Sequence, residues 1–84
     1  MIPYDFTKQA AKAFLELPPN IQKKIIGKLE FYLNSDNPLS FAKRLVGFPR
    51  PVFRFRIDDY RVIFDWQGKS ILILKVGHRK EIYR

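Results

Sequence analysis

The sequence predicts an α+β fold, in which an antiparallel β-sheet meander carries two N-terminal helices packed on one of its faces. Two observations predict this fold. Apolar residues recur at helical spacing on both sides of a Pro-Pro pair in the first 34 positions, whereas from position 52 they alternate with polar residues. Helices followed by a run of strands are typical of helices packed on one face of an antiparallel sheet. A chain of 84 residues corresponds to one domain, residues 1–84.

The N-terminal half is predicted to hold a short strand and two helices. Residues 2–6 form the strand, with Pro3 tolerated near its start or on a sheet edge. Thr7 is a suitable N-cap for a first helix that ends at Leu17. The apolar stripe of that helix consists of Ala10, Ala11, Phe14 and Leu15.

The second helix is expected to begin near Pro19, because proline is favoured at the first helical position. It ends in the polar segment 34–38. One arc of this helix is apolar and should lie on the core, and it consists of Ile21, Ile25, Ile26, Leu29, Tyr32 and Leu33.

The C-terminal half is predicted to form a meander of three strands, at residues 52–57, 60–66 and 70–76. A connection through residues 39–48, with room for one helical turn, leads into it, and residues 78–84 end the chain. If Asp58 and Asp59 form a two-residue turn, Arg56 lies opposite Arg61. The aromatic and aliphatic residues that pair across the hairpin, all but Ile63, then face the helices, while Arg54, Arg56 and Arg61 share the other face.

The third strand admits two registers, because a slip of one residue exchanges its two faces. We predict the register that sends Leu72, Leu74 and Val76 to the core. That register places Lys75 and Arg79 beside the arginines of the hairpin.

Positive charge is concentrated in the second half of the chain. The net charge is +8, and residues 43–84 hold eleven basic and four acidic side chains, a net +7. Such a surface indicates a polyanionic partner: nucleic acid, an acidic protein or an anionic membrane surface. Because the facing cations Arg56 and Arg61 cost stability, we infer that an anion lies between them. The alternative is that the arginines extend into water or pair with Asp58, Asp59 and Asp65.

Several other classes of protein are disfavoured. The chain has no cysteine, which argues against a disulfide framework or a zinc-thiolate site and suits a reducing cytoplasm. Residues 1–5 do not begin a signal peptide, and the apolar run at 71–74 is too short to cross a bilayer. We therefore expect a soluble cytoplasmic protein with no membrane partner. The acidic residues form no convincing carboxylate cluster and the glycines no phosphate-binding loop, so neither metal nor cofactor is expected.

Three segments together resemble the RelE/ParE superfamily of toxins, and its RelE branch most closely. They are Leu45-x-Gly47, the run Phe53-Arg-Phe-Arg-Ile-Asp-Asp-Tyr-Arg61, and Val76-Gly-His-Arg-Lys-Glu-Ile-Tyr83. No single segment is specific, but their order and spacing in a chain of this length are. The resemblance covers nearly the whole chain and implies a RelE-like sheet with helices on one face and a basic cleft on the other.

The resemblance also implies a function. The protein would be the toxin of a type II toxin–antitoxin system, a metal-independent, ribosome-dependent endoribonuclease (mRNA interferase) that inhibits translation. It would cleave mRNA in the ribosomal A site by attack of a 2′-hydroxyl on the adjacent phosphate. The implied partners are mRNA, the ribosome and an acidic, RelB-like antitoxin, whose complex with the toxin would bind operator DNA.

The resemblance assigns roles to particular residues. Arg61 and Arg79 would grip the scissile phosphate, and Tyr83 would stack on or orient a nucleotide. Arg54 and Arg56 complete the catalytic set. The RNA-binding residues would be Lys43, Arg44, Lys75, Lys80 and His78.

One departure from the family pattern bears on the mechanism. Arg54 and Arg56 stand where the RelE pattern has lysines, and arginine is a poor proton acceptor because it is effectively always charged. His78 is the one side chain with an ordinary pKa near ~6.5, but the predicted register turns it towards the core. The identity of the general base therefore stays open.

Two other functions fit the same residues. A ParE-like toxin would use this scaffold to poison DNA gyrase, and it would be expected to lack the full set of Arg61, Arg79 and Tyr83. The second alternative is a basic module that binds nucleic acid without catalysis. It remains an alternative because no general base has been assigned.

Overall fold

The computed structural model describes residues 1–83 and has an α+β architecture built on one five-stranded sheet. Its elements are β1 (Tyr4–Phe6), α1 (Lys8–Leu15), α2 (Pro19–Leu33), a 3₁₀ turn (Pro38–Phe41), β2 (Ala42–Arg44), β3 (Val52–Ile57), β4 (Tyr60–Trp66) and β5 (Ile71–His78). The strand order is β1-β5-β4-β3-β2. The predicted fold class is confirmed, although β1 pairs parallel with β5 and makes the sheet mixed. Arg84, the last residue of the predicted terminal segment, lies outside the described residues.

The two helices form as predicted, with one correction. The Thr7 hydroxyl accepts a hydrogen bond from the Ala10 N–H at 3.1 Å and caps α1, and α2 begins at Pro19. The helix α1 ends at Leu15, and Leu15 is exposed rather than part of the apolar stripe. The chain turns away after Leu15 because Pro18 cannot continue the helix. No helix in residues 1–83 is both long and apolar enough to span a membrane.

The core lies between α2 and the helix-facing side of the sheet. Ile25, Leu29 and Leu33 of α2 are fully buried against the strands. Opposite them, Phe55 and Phe64 stack with ring centroids 4.5 Å apart. Burying this apolar surface is the main favourable contribution to folding.

The hairpin of β3 and β4 has the predicted register. Ile57 pairs with Tyr60 and Arg56 with Arg61 across the two-residue turn. Asp58 in this turn has a φ of 53°, a left-handed conformation that aspartate adopts more readily than most residues. The predicted separation of aromatic and basic faces is therefore confirmed for this hairpin.

The prediction for β5 is wrong at Leu72 and Leu74, because a β-bulge interrupts the strand. Phe64 pairs with Ile73 and Ile63 with Lys75, so Leu74 is an extra residue. Before the bulge, Ile71 and Ile73 face the core; after it, Val76 does, as predicted. One inserted residue resets the alternation of the strand.

A second, smaller apolar cluster covers part of the sheet face that points away from the helices, called the open face below. It contains Val52, Ile63 and Ile82, with Leu45 and Leu74 packed against them. Ile82 reaches this cluster because its N–H donates to the His78 carbonyl at 2.9 Å, which turns the C-terminal segment back over the sheet. The cluster explains why Val52 and Ile63 interrupt the otherwise polar pattern of the hairpin on this face.

Candidate nucleic-acid interface

The open face brings together cations from four adjacent strands. Arg56 and Arg61 lie opposite each other in the hairpin. Two residues further from the turn, Arg54 lies opposite Ile63, and Ile63 pairs on its other side with Lys75. Lys43 of β2 pairs with Arg54 from the other side. The term basic face is used below for these five residues: Lys43, Arg54, Arg56, Arg61 and Lys75. Residues two apart on a strand are separated by about 6.5–7 Å, so the charges form a band rather than a single point.

Arg61 is the buried member of the basic face, with only 5% of its surface exposed. Its Nη1 donates to the carbonyl oxygens of Asp58 (2.8 Å) and Tyr60 (2.9 Å). Burial lowers the pKa of Arg61, and the positive charges of Arg56 and Arg54 lower it further. Arginine nevertheless keeps its charge in proteins, so the guanidinium is a fixed cation with further N–H donors.

The same electrostatic environment includes the other two residues of the predicted catalytic set. The Tyr83 phenol raises the pKa of Arg61, whereas the Arg79 charge lowers it. Arg54, Arg56, Arg79 and Tyr83 thus all act on the Arg61 guanidinium. Of the five predicted catalytic residues, the other four therefore lie within electrostatic reach of the buried Arg61.

Arg79 follows β5 and is held by the turn between β3 and β4. Its backbone N–H donates to the Asp59 carbonyl at 2.7 Å, and its Nε lies 3.7 Å from the Asp59 carboxylate. The other two aspartates of this region bind elsewhere: Asp58 pairs with Lys24, and the buried Asp65 pairs with Arg50 at 3.0 Å.

An apolar groove of about 440 Å³ lies beside the basic face. Two exposed aromatic side chains, Phe48 and Tyr83, line it together with Leu45, Ile63, Leu74, Lys75 and Ile82. Proteins that bind single-stranded nucleic acids combine aromatic rings with a basic band, because the bases stack on the rings and the phosphates pair with the cations. An apolar segment of a protein partner would fit the same groove.

Two of the predicted RNA-binding residues lie away from this face. Arg44 pairs with Phe53 on the helix-facing side, where its guanidinium lies 5.9 Å from the phenyl ring. His78 pairs with Tyr60 and meets its ring edge-on at 5.4 Å. Lys43 and Lys75 do lie on the basic face, and Lys80 is exposed in the C-terminal turn.

Sequence reasoning missed Phe48 and Ile82. Ile82 stands alone after four polar or charged residues, and an isolated aliphatic residue in such a segment is a signal that the segment docks on the domain. Phe48 follows Gly47, whose φ of 89° marks a sharp loop, but nothing in the local pattern shows where that loop packs.

A family model agrees with this architecture over nearly the whole chain. The model of the ParE toxin of type II toxin–antitoxin systems matches residues 4–83. The chain therefore belongs to the RelE/ParE superfamily of type II toxins.

Individual relatives point to the RelE branch, as the sequence motifs predicted. The chain is 32% identical to Toxin RelE3 of Methanocaldococcus jannaschii over 81 residues, which cover 93% of this chain and 91% of the relative. It is similar to the RelB–RelE antitoxin–toxin complex of Methanococcus jannaschii, with a TM-score of 0.71, 31% identity and 93% of each chain covered. It is also similar to the RelBE2 toxin–antitoxin complex of Mycobacterium tuberculosis, with a TM-score of 0.76, 28% identity and coverage of 93% of this chain and 98% of that one.

Proposed function

We propose that this toxin is a ribosome-dependent endoribonuclease that cleaves mRNA in the A site. The observation that carries the proposal is that Arg54 and Arg56 share a sheet face with the buried Arg61, beside the groove lined by Tyr83, and that Arg79 is held by the same turn as Arg61. The likeness to toxins named RelE supports it.

The reaction proposed is an internal transfer of the phosphate. The 2′-oxygen of one nucleotide attacks the adjacent phosphorus and gives its proton to water. The bond between phosphorus and the 5′-oxygen breaks, and that oxygen takes up a proton from water. The products are a cyclic phosphate and a free 5′-hydroxyl. Arg61 and Arg79 bind the phosphate and stabilise its growing negative charge. Arg54 and Arg56 add to the positive field, and Tyr83 orients a nucleotide at the groove.

The surroundings of His78 do not favour it as the general base. Its Nδ1 accepts the Lys80 N–H at 3.1 Å, which in the neutral ring leaves the proton on Nε2. It also lies in register with Tyr60 of the helix-facing side. Activation of the 2′-hydroxyl then rests largely on alignment, which alone can contribute several kcal/mol. The decoding site of the ribosome, which already holds the codon, would supply that alignment.

A primer-extension comparison tests the proposal. One transcript is incubated with the protein, naked and during translation, at equal protein concentration, and in-frame cuts are expected only during translation. Arg61→Ala and Arg79→Ala should each lower cleavage by ~10²-fold or more, the scale of losing one charge-stabilising donor. Lys23→Ala removes one charge from exposed helix surface and should leave cleavage unchanged. Equal cleavage of naked RNA would contradict the ribosome requirement.

The partner that restrains the toxin is proposed to be an acidic, RelB-like antitoxin. Such a chain would neutralise the +7 half and place apolar side chains in the groove beside the basic face. The similar RelE chains occur in complexes with RelB. Expression of this protein alone should arrest growth, and co-expression of a small acidic neighbouring gene should relieve it; harmless expression of the folded protein would argue against a toxin.

Gyrase poisoning is the second candidate, because the matching family model is that of the ParE toxin. The grouping around Arg61 favours RNA cleavage over this alternative. A supercoiling assay separates them: inhibition of gyrase together with intact mRNA in a translating extract would favour the ParE-like function.

A further inference from the structure

We propose that the turn between β3 and β4 is the element that positions both phosphate-binding arginines, with Asp59 as the positioning residue for Arg79. This inference rests on the proposed function and adds to it a group that would not touch RNA itself. It follows from contacts that converge on three consecutive residues, 58–60.

Backbone carbonyls of this turn hold both arginines. The carbonyls of Asp58 and Tyr60 accept hydrogen bonds from the Arg61 guanidinium at 2.8 and 2.9 Å. The carbonyl between them, that of Asp59, accepts the backbone N–H of Arg79 at 2.7 Å. Arg61 directly follows the turn in the sequence, whereas Arg79 is eighteen residues further along the chain. The turn therefore fixes the spacing between two cations that are distant in sequence.

The Asp59 carboxylate then orients the Arg79 side chain. It lies 3.7 Å from Nε, and we infer that a phosphate binds at the far end of the guanidinium. Without this contact, the exposed Arg79 side chain would sample many rotamers. The contact also places a negative charge among cations that otherwise repel each other.

The carboxylate of Asp58, the other aspartate of this turn, contacts a helix instead of Arg79. Asp58 pairs with Lys24 of α2, and this pairing lowers the pKa of the Asp58 carboxyl. Because Asp58 and Asp59 are adjacent, both exposed and equally charged, they form a matched pair in which only Asp59 contacts Arg79.

The test compares Asp59→Asn with Asp58→Asn, and each variant removes one negative charge from the same turn. Asparagine tolerates the left-handed φ at position 58, so the turn should persist in both. Asp59→Asn should lower the maximal rate of cleavage on ribosomes about three-fold, the scale of one exposed ion pair, without raising KM. Asp58→Asn keeps the backbone carbonyl that accepts from Arg61 and loses only an exposed ion pair with Lys24, so it should cleave at the wild-type rate. In an Arg79→Ala background, Asp59→Asn should have no further effect.

A second measurement does not depend on cleavage. In ¹⁵N relaxation of the arginine Nε–H groups, Arg79 should be ordered in the wild type and in Asp58→Asn, and mobile in Asp59→Asn. Equal mobility of Arg79 in all three proteins would overturn the proposal, as would equal losses of cleavage in the two variants. If the wild type cleaves no RNA, the proposed function fails, and the mobility of Arg79 still decides whether Asp59 positions it.

Discussion

Arg61 combines burial with a charge that it cannot lose, which is costly unless its donors are satisfied. Two backbone carbonyls accept hydrogen bonds from one of its nitrogens, whereas the positive charges of the surrounding arginines lower its pKa. The side chain is therefore both a structural part of the turn and a cation of the basic face. Arg79, by contrast, is half exposed, so its role depends less on packing.

This difference predicts unequal effects on stability. Arg61→Ala should lower the free energy of unfolding by about 1–2 kcal/mol, because the Asp58 and Tyr60 carbonyls lose their donor and packed surface is removed. Arg79→Ala should change it by less than about 0.5 kcal/mol, as is usual for exposed positions. Urea denaturation of both variants measures this; equal destabilisation would contradict the assigned difference in burial.

The positions of some residues of the site could be predicted from the sequence, whereas the burial or role of others could not. Asp58 and Asp59 form a two-residue turn, which sets the register of the hairpin. It was therefore predictable that Arg54, Arg56 and Arg61 share one face. The burial of Arg61 was not, because it depends on packing by segments distant in sequence. The family resemblance, rather than periodicity, suggested the roles proposed for Arg79 and Tyr83.

Among the secondary-structure elements, α2, β3 and β4 were predicted from their strong periodicity. Three other features could not be predicted in this way. The bulge at Leu74 shifts β5 by one residue, and an apolar run of Ile and Leu looks the same in either register. The short strand β2 pairs over only three residues. The parallel pairing of β1 with β5 joins residues 67 positions apart, such as Tyr4 and Ile71, and leaves no local trace.

The C-terminal turn is the element that carries Tyr83 to the groove, and Ile82 is its apolar anchor. Ile82→Ala should weaken this docking by about 1–2 kcal/mol, less than a full core truncation because the segment can detach locally. Amide hydrogen exchange at residues 81 and 82 should accelerate while the β4 amides stay protected. Cleavage should fall to the level of Tyr83→Ala.

Val46→Ala provides the control for this prediction, since Val46 is an aliphatic residue that is 91% exposed. It should change neither hydrogen exchange nor cleavage. If Ile82→Ala cleaves as fast as the wild type while its terminal amides exchange rapidly, docking of this turn is not needed for activity.

For the whole molecule, the fold converts an uneven distribution of charge along the chain into a charged face. Residues 1–42 have a net +1 and form both helices, whereas residues 43–84 have a net +7 and supply the basic face. The helices cover the apolar side of the sheet, and the strands expose their cations on the other side. A polyanion would therefore approach from one direction, steered by charge over distances of about a Debye length.

The position of charge, rather than its total, should determine binding to ribosomes. The pair Lys43→Gln and Lys75→Gln removes two charges from the basic face, and the pair Lys8→Gln and Lys12→Gln removes two from α1. Both double variants have the same net charge. The first should bind ribosomes programmed with an uncleavable 2′-deoxy codon more weakly, and the slope of log K against log salt should become shallower by about 1.4–1.8. The second should bind as the wild type does. Equal weakening in both, measured over a series of KCl concentrations, would mean that only the overall charge of +8 matters and that the basic face has no special part in binding.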